Sequence, residues 1–312
     1  MKVLITGGAG FIGSHLADAY LARGDNVVIV DDLSSGSPKN IEQACQKGAQ
    51  FYELSINSPE LKKIFEDEKP ELVNHHAAQK SVRDSVSNPI RDAQINIMGL
   101  LNLLESARAV GCKNVLFASS GGVVYGEQKE FPATEEHSTF PISPYGISKL
   151  CSEHYLRFYS ENYSFHSICL RYANIYGPRQ DPHGEAGVVS IFCDRLKQRK
   201  NICIYGSGNQ TRDFVYVGDI VSVNLQVEKL LKGFQYFNVG CEREVSVNQL
   251  AKELCQTAGM NFKPDYGPAR SGEQMRSVLS TRKIQQACGW KPMIGIEEGL
   301  QKTYQWFLNQ QD

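Results

Sequence analysis

Apolar residues fall along the chain in short solid runs that alternate with amphipathic stretches. Residues 2 to 6 form the first run, and others cover 26 to 31, 49 to 54, 72 to 76, 114 to 119 and 167 to 171. Runs of this length, rich in Val, Ile and Leu, predict strands buried on both faces. Apolar spacing at helical period predicts helices over 14–23, 61–68, 90–110 and 144–163. Strand and helix in turn imply an α/β fold with a doubly wound parallel sheet. Ligands of such sheets bind at the carboxyl ends of the strands, here Gly7, Asp31, residues 77–80, Ser119-Ser120 and residues 171–174. After Asn174 the alternation weakens at Gly177, Pro178 and Pro182. Residues 216–231 and 236–240 return to the sheet pattern, and 242–312 read as a smaller, mostly helical lobe. The expected division is a dinucleotide-binding domain over 1–175 and 215–240, and a substrate-binding lobe over 176–214 and 241–312.

The first strand runs into Gly7-Gly8-Ala9-Gly10-Phe11-Ile12-Gly13, and a helix and second strand follow. Glycines at this spacing allow a tight turn, close approach of a pyrophosphate, and close packing of helix on strand. The free N–H groups of the helix start then face the phosphates. Asp31 closes the second strand, where a carboxylate takes the ribose hydroxyls of the cofactor. That carboxylate would repel a 2′-phosphate, so the loop points to NAD over NADP.

Ser143-Pro144-Tyr145-Gly146-Ile147-Ser148-Lys149 opens the helix over 144–163. A phenol and an ammonium four residues apart share one helical face. Bringing a phenol from about 10 to about 7 takes roughly 4 kcal/mol. One cation about 5 Å away supplies roughly 3 kcal/mol at an effective dielectric near 20. The spacing therefore predicts that Lys149 provides most of the shift and that Tyr145 acts as general base towards an alcohol.

Charge and cysteine content narrow the partners. The 312 residues carry a formal net charge of -1, which offers no basic field for nucleic acid or an anionic membrane. No apolar run is long enough to span a bilayer. The nine cysteines form no CxxC pair, so neither a zinc site nor a disulfide frame is expected, and reduced thiols suit a cytoplasmic location.

Taken in order, the glycine loop, Asp31, His76-Ala77-Ala78, Ser119-Ser120, Tyr145-x-x-x-Lys149, Arg171-Tyr172-Ala173-Asn174 and Arg212-Asp213-Phe214-Val215-Tyr216-Val217 resemble the extended short-chain dehydrogenase/reductases. Within these, the NAD-dependent epimerase/dehydratase family and its UDP-hexose 4-epimerases are most similar. The resemblance implies a Rossmann-type fold, NAD as cofactor, a UDP-sugar substrate and a homodimer paired through the helices near 90–110 and 144–163. It implies that Gly7, Gly10, Phe11, Ile12 and Gly13 hold the pyrophosphate and that Asp31 binds the ribose. Lys80 and Asn96 would contact the cofactor together with Tyr145 and Lys149. Ser81, Asn174, Arg212, Arg270, Glu273 and Ser277 would hold the substrate. The family's third catalytic group is a hydroxyl. Counting from Tyr145 places it on Ser120, counting from Val123-Val124-Tyr125-Gly126 places it on Gly121, and Ser119 is a further candidate; Ser120 is the preferred assignment.

Three departures bear on the reaction. Ser55 stands where the family usually has an adenine-contacting Asp. Gly121-Gly122 stands where the family's dehydratases carry an Asp-Glu pair that protonates a leaving hydroxyl, which argues for epimerisation. Ser277 occupies the position that limits the sugar pocket, and a small residue there implies that UDP-GlcNAc and UDP-GalNAc are accepted beside UDP-Glc and UDP-Gal. The alternatives are a UDP-glucuronate 4-epimerase or decarboxylase, for which Arg83 and Arg179 would meet the sugar carboxylate, and a non-catalytic dinucleotide sensor.

Overall fold

The computed structural model describes residues 1–183, 187–269 and 274–310. The chain divides into two compact units. The first comprises Met1–Gly126, Ser138–Arg171 and Val221–Phe237, and the second Glu127–His137, Tyr172–Ile220 and Asn238–Asp312.

The first unit is built from β1 (Lys2–Thr6), α1 (Phe11–Arg23), β2 (Asn26–Asp31), α2 (Pro38–Gln46), β3 (Gln50–Glu53), α3 (Leu61–Glu68) and β4 (Leu72–His75). It continues through α4 (Val82–Ser87), α5 (Pro89–Ala93), a π turn (Gln94–Met98), α6 (Gly99–Ala109), β5 (Asn114–Ser120), α7 (Gly121–Val124), α8 (Pro144–Tyr163) and β6 (His166–Tyr172). In chain order β7 (Asn174–Tyr176), α9 (Val188–Lys197), β8 (Cys203–Tyr205), β9 (Thr211–Tyr216), α10 (Val217–Val227) and β10 (Phe234–Val239) follow. The last elements are β11 (Glu244–Ser246), α11 (Val247–Thr257), β12 (Asp265–Gly267), β13 (Arg276–Ser277), α12 (Arg282–Cys288) and α13 (Ile296–Asn309).

Seven strands form one sheet in the order β10-β6-β5-β4-β1-β2-β3. β1 pairs in parallel with β2 on one side and β4 on the other, so the chain reverses its direction of winding there. That reversal opens the crevice where doubly wound sheets bind ligands. Val3, Leu4 and Ile5 are fully buried, as a strand covered by helices on both faces requires. Leu4, Val28, Val73, Leu100, Leu104, Val115 and Phe117 form the core on one side of this sheet.

Helix boundaries follow local chemistry. Ser143 caps α8 by accepting from Gly146 N–H, Pro144 fits the first turn, and Ser164 in the left-handed region ends it. The helix expected over 90–110 is interrupted. Gln94–Met98 make a π turn between α5 and α6, and such turns often mark functional sites. The sequence reading contained no helix between β2 and β3, yet Ser37 and Pro38 start α2 there.

The second unit has its own core of Tyr176, Phe192, Leu196, Ile204, Phe214, Leu250, Leu254, Leu300 and Phe307. Its central strand β9 is flanked by β11 and β13, and β7 pairs with β9 as well. The stretch 127–137, placed in the first domain from sequence, belongs here. Ala133 bridges to Leu279, and Glu135 accepts from Asn238 N–H at 2.8 Å. Residues 172–175, 215–220 and 238–240 likewise fall in this unit, because β7 and Asn238 pair with partners that lie far off in sequence.

Candidate active site

The glycine loop closes on its own backbone. Gly7 N–H donates to Val30 carbonyl at 2.9 Å, and Gly10 N–H donates to Gly7 carbonyl at 3.1 Å. Gly7 has φ +66°, and a Cβ there would lie 2.6 Å from Ala77 N. A Cβ on Gly13 would overlap Gly7 carbonyl, so α1 can lie close on β1 only with glycine at that position. Gly10 precedes α1 without a side-chain cap, which leaves the first-turn N–H groups of Phe11, Ile12 and Gly13 for an outside acceptor. Asp31 ends β2 and is buried, which raises its pKa, while Leu33 and Ala9 N–H groups oppose the rise. The Ala9 bond, 2.9 Å, ties the Asp31 carboxylate to the glycine loop, and the Leu33 bond, also 2.9 Å, ties it to the turn that follows β2. An uncapped helix start beside a carboxylate at the next strand end fits a dinucleotide.

Tyr145 and Lys149 stand one turn apart on α8 as expected. Lys149 is 4% exposed, and its Nζ lies 5.8 Å from the Tyr145 ring centroid. The ammonium donates to Ala118 carbonyl at 2.8 Å and sits 4.7 Å from the Phe117 ring. Burial drags its pKa down to about 8, against the pull of Asp92. Burial pushes the Tyr145 phenol up, and Asp92 pushes it further. This corrects the sequence reading of the pair: desolvation outweighs Lys149, so the phenol of the protein alone stays protonated at neutral pH. His75 and His76 are held neutral, primarily by burial and secondarily by Lys149, with His76 lowered to about 3.

Ser119 and Ser120 point to opposite faces of β5, as neighbours on a strand must. Ser119 is 3% exposed and donates to Glu153 Oε1 at 2.6 Å. Glu153 also takes two bonds from Arg171, Nε at 3.0 Å and Nη2 at 2.6 Å. Ser119 is thus committed to a buried ion pair. Ser120 precedes α7 without capping it, and its hydroxyl makes no hydrogen bond among the described residues. Gly121 is buried as the first residue of α7 and brings no hydroxyl.

The remaining residues expected to face the cofactor divide. Lys80 is exposed in the loop after β4. Ser81 caps α4 by accepting from Asp84 N–H at 2.9 Å, which leaves its hydroxyl proton free to donate. Asn96, assigned a direct cofactor contact from sequence, spends both ends of its amide on protein. Its Oδ1 accepts from Gln79 N–H at 2.9 Å, and its Nδ2 donates to Gln79 carbonyl at 2.9 Å and Asp92 Oδ1 at 3.0 Å. It shapes the loop that carries Lys80 from within the π turn. Glu153 and Asp92 escaped the sequence reading. Glu153 continues the face of Tyr145 and Lys149 at the same four-residue step, and Asp92 precedes Asn96 by four. Helical spacing was the available signal for both.

Asn174, Arg212 and Ser277, the residues expected to hold the substrate, all belong to the second unit. Arg212 lies on β9 in register with Ser277 of β13 and Val245 of β11. Asn174 pairs with Phe214, two residues further along β9. Ser277 is 3% exposed, and its Oγ accepts from Gln128 Nε2 at 3.4 Å. Arg270 and Glu273 lie outside the described residues. Arg83 is exposed on α4, and Arg179 has φ +68°. Among the described residues no three His, Cys, Asp or Glu side chains gather to hold a metal, and no helix is long and apolar enough to cross a membrane.

Residues 3–240 match the NAD dependent epimerase/dehydratase family. The UDP-glucose 4-epimerase of Mycolicibacterium smegmatis is 40% identical, with 99% of each chain covered. The structure of UDP-glucose 4-epimerase from Thermotoga maritima with UDP-glucose superposes at TM-score 0.94, with 46% identity and 98% of each chain covered. A UDP-N-acetylglucosamine 4-epimerase from Methanobrevibacter ruminantium, in complex with UDP-N-acetylmuramic acid, superposes at 0.93 with 32% identity and 99% of each chain covered.

Proposed function

This chain belongs to the NAD dependent epimerase/dehydratase family, and from that premise we propose that it inverts C4 of a UDP-hexose, interconverting UDP-Glc and UDP-Gal. One observation carries the choice among the family's reactions. Tyr145 and Lys149 form a base pair on α8, while α7 begins with Gly121-Gly122. A dehydration needs an acid at that place to protonate the leaving hydroxyl, and glycine offers none. The chemistry then stops at oxidation of the alcohol and its reversal.

NAD, held by the glycine loop and Asp31, would supply the acceptor for the C4 hydride. Tyr145 takes the proton of the 4-hydroxyl, and Lys149 holds the resulting charge. The ammonium alone does not overcome the burial of the phenol, so a second positive charge is needed, which oxidised nicotinamide would supply. Ser120, with its free hydroxyl, bridges the 4-oxygen and the phenol. Asn174, Arg212 and Arg270 grip the diphosphate, and Glu273 the uridine ribose, while the 4-keto sugar turns and offers its other face. Ser277 is small, which favours acceptance of UDP-GlcNAc and UDP-GalNAc as well; the likeness to a UDP-N-acetylglucosamine 4-epimerase supports this range. Ile90 and Met98 on the α5 side and Ile147 and Phe158 on α8 are exposed, which supports a homodimer paired through these helices.

The test is an NMR time course on purified protein with UDP-Glc, UDP-GlcNAc and UDP-GlcA in separate tubes, with and without added NAD. Appearance of the 4-epimer from UDP-Glc is expected. Release of carbon dioxide from UDP-GlcA, with no epimer in the other tubes, would replace this reading by decarboxylation.

A further inference from the structure

The buried carboxylate of Asp92 has no part in the reaction as read above. It stands in the first turn of α5 and is 1% exposed. Its Oδ1 accepts from Gln79 Nε2 at 3.1 Å and from Asn96 Nδ2 at 3.0 Å. The hydroxyl of Ser148 on α8 faces it too, and its one proton is shared between Asp92 and the Tyr145 carbonyl, which lies at 2.9 Å. Ser152, one turn further along α8, donates to Ser148 carbonyl at 2.8 Å and to Asn96 carbonyl at 3.4 Å. One acid therefore ties together the loop after β4, the π turn and the first turns of the base helix.

A buried polar cluster of this kind needs a reason, because apolar side chains would hold the same elements at lower desolvation cost. Burial pushes the Asp92 carboxyl up, while the donors Ser148, Gln79 and Asn96 and the charge of Lys149 pull it back. Neutral donors hold the anion without cancelling its charge. The cation that faces it is Lys149, and no hydrogen bond joins the two. Cys169 and Glu153 also favour the Lys149 ammonium, each by less than Asp92. Glu153 is matched by Arg171 at 2.6 Å. His75 and His76 at the end of β4 are neutral. Lys80 in the loop, Arg83 and Asp84 on α4, and Arg91 beside Asp92 are exposed, where water and salt screen them.

We propose that Asp92 is a positioning residue: it locks the Gln79–Ser81 loop to the start of α8, and its charge sets the pH at which the Tyr145–Lys149 pair ionises. A fixed anion disfavours the phenolate and favours the ammonium. Without it both groups lose their protons at lower pH. The proposal rests on Tyr145 as the base, and it explains why the cluster around Asn96 is ionic instead of apolar. Asn96 in the π turn and Asp92 four residues before it both bond Gln79.

The experiment compares NAD-loaded wild type with Asp92→Asn, which keeps the size and one acceptor oxygen, and with Asp92→Ser, which removes the charge by a different shape. Tyrosinate absorbance is titrated in each, with Tyr145→Phe in the same background subtracted to isolate Tyr145. The midpoint should fall by about one pH unit in both variants, the size of one charge acting through several ångströms of protein. The acid limb of the kcat profile should move by the same amount, and Asp92→Glu should bring the midpoint back. A midpoint unmoved or raised in variants that match wild type in melting temperature and NAD content would overturn the proposal. The absorbance titration requires no turnover, so a protein inactive on every UDP-sugar would defeat the assigned reaction and still decide the role of Asp92.

Discussion

Replacing Lys149 by Met tests the electrostatics of the base most directly. The ammonium lies 5.8 Å from the centroid of the Tyr145 ring; at an effective dielectric near 20 one charge at that range is worth about 3 kcal/mol, or about two pKa units. Lys149→Met therefore raises the phenol by about two units, and at pH 7 the reactive phenolate becomes about 100-fold scarcer. The side chain keeps its length, but Ala118 carbonyl loses the donor it has at 2.8 Å. The assay is the rate of UDP-Glc to UDP-Gal conversion by NMR across pH 6 to 10, with NAD content checked at each pH. The variant should be slow at neutral pH and gain close to tenfold per pH unit as the phenol ionises. A variant within about tenfold of wild type at pH 7, or one whose rate stays flat with pH, would refute the assignment of Lys149 as the charge that supports the base.

Other outcomes follow from single observations. Tyr145→Phe should lower kcat by about 100- to 10,000-fold with little change in NAD content. Arg212→Ala should raise KM for the UDP-sugar about 10- to 100-fold, as loss of a charge-assisted bond does, and leave kcat nearly unchanged; an unchanged KM would remove Arg212 from the diphosphate site. Ser277→Tyr should abolish conversion of UDP-GlcNAc and spare UDP-Glc, and equal loss on both would sink the pocket assignment. Lys149 also makes a stability prediction. Its pKa is about 8 when folded against 10.5 in the unfolded chain, so between those values the unfolded state binds more protons and the contribution of Lys149 to stability rises with pH. Melting temperatures of wild type relative to Lys149→Met should therefore climb from pH 8 to 10.

The sequence by itself determined the features that depend on neighbours along the chain. Solid apolar runs gave strands because both faces of β1, β2 and β4 are covered. Ser143 and Pro144 started α8, and the four-residue step put Tyr145 and Lys149 on one face. The glycines of the first loop were legible because a positive φ at Gly7 and the contact at Gly13 admit no side chain. Tertiary structure alone decided what those groups meet. The π turn that interrupts the 90–110 helix joins Asn96 to Gln79, 17 residues away, and no periodicity reports such a bond. Ser119 and Ser120 are chemically alike, and only Glu153, 34 residues on, separates the bonded hydroxyl from the free one. The stretch 127–137 joins the second unit through Asn238 and Leu279, partners over 100 residues distant. The ionisation of Tyr145 belongs with these: its spacing from Lys149 is local, but desolvation sums over every group that excludes water from the ring. A pattern along the chain records which groups stand near one another on an element; it does not record how much water the folded protein leaves between them.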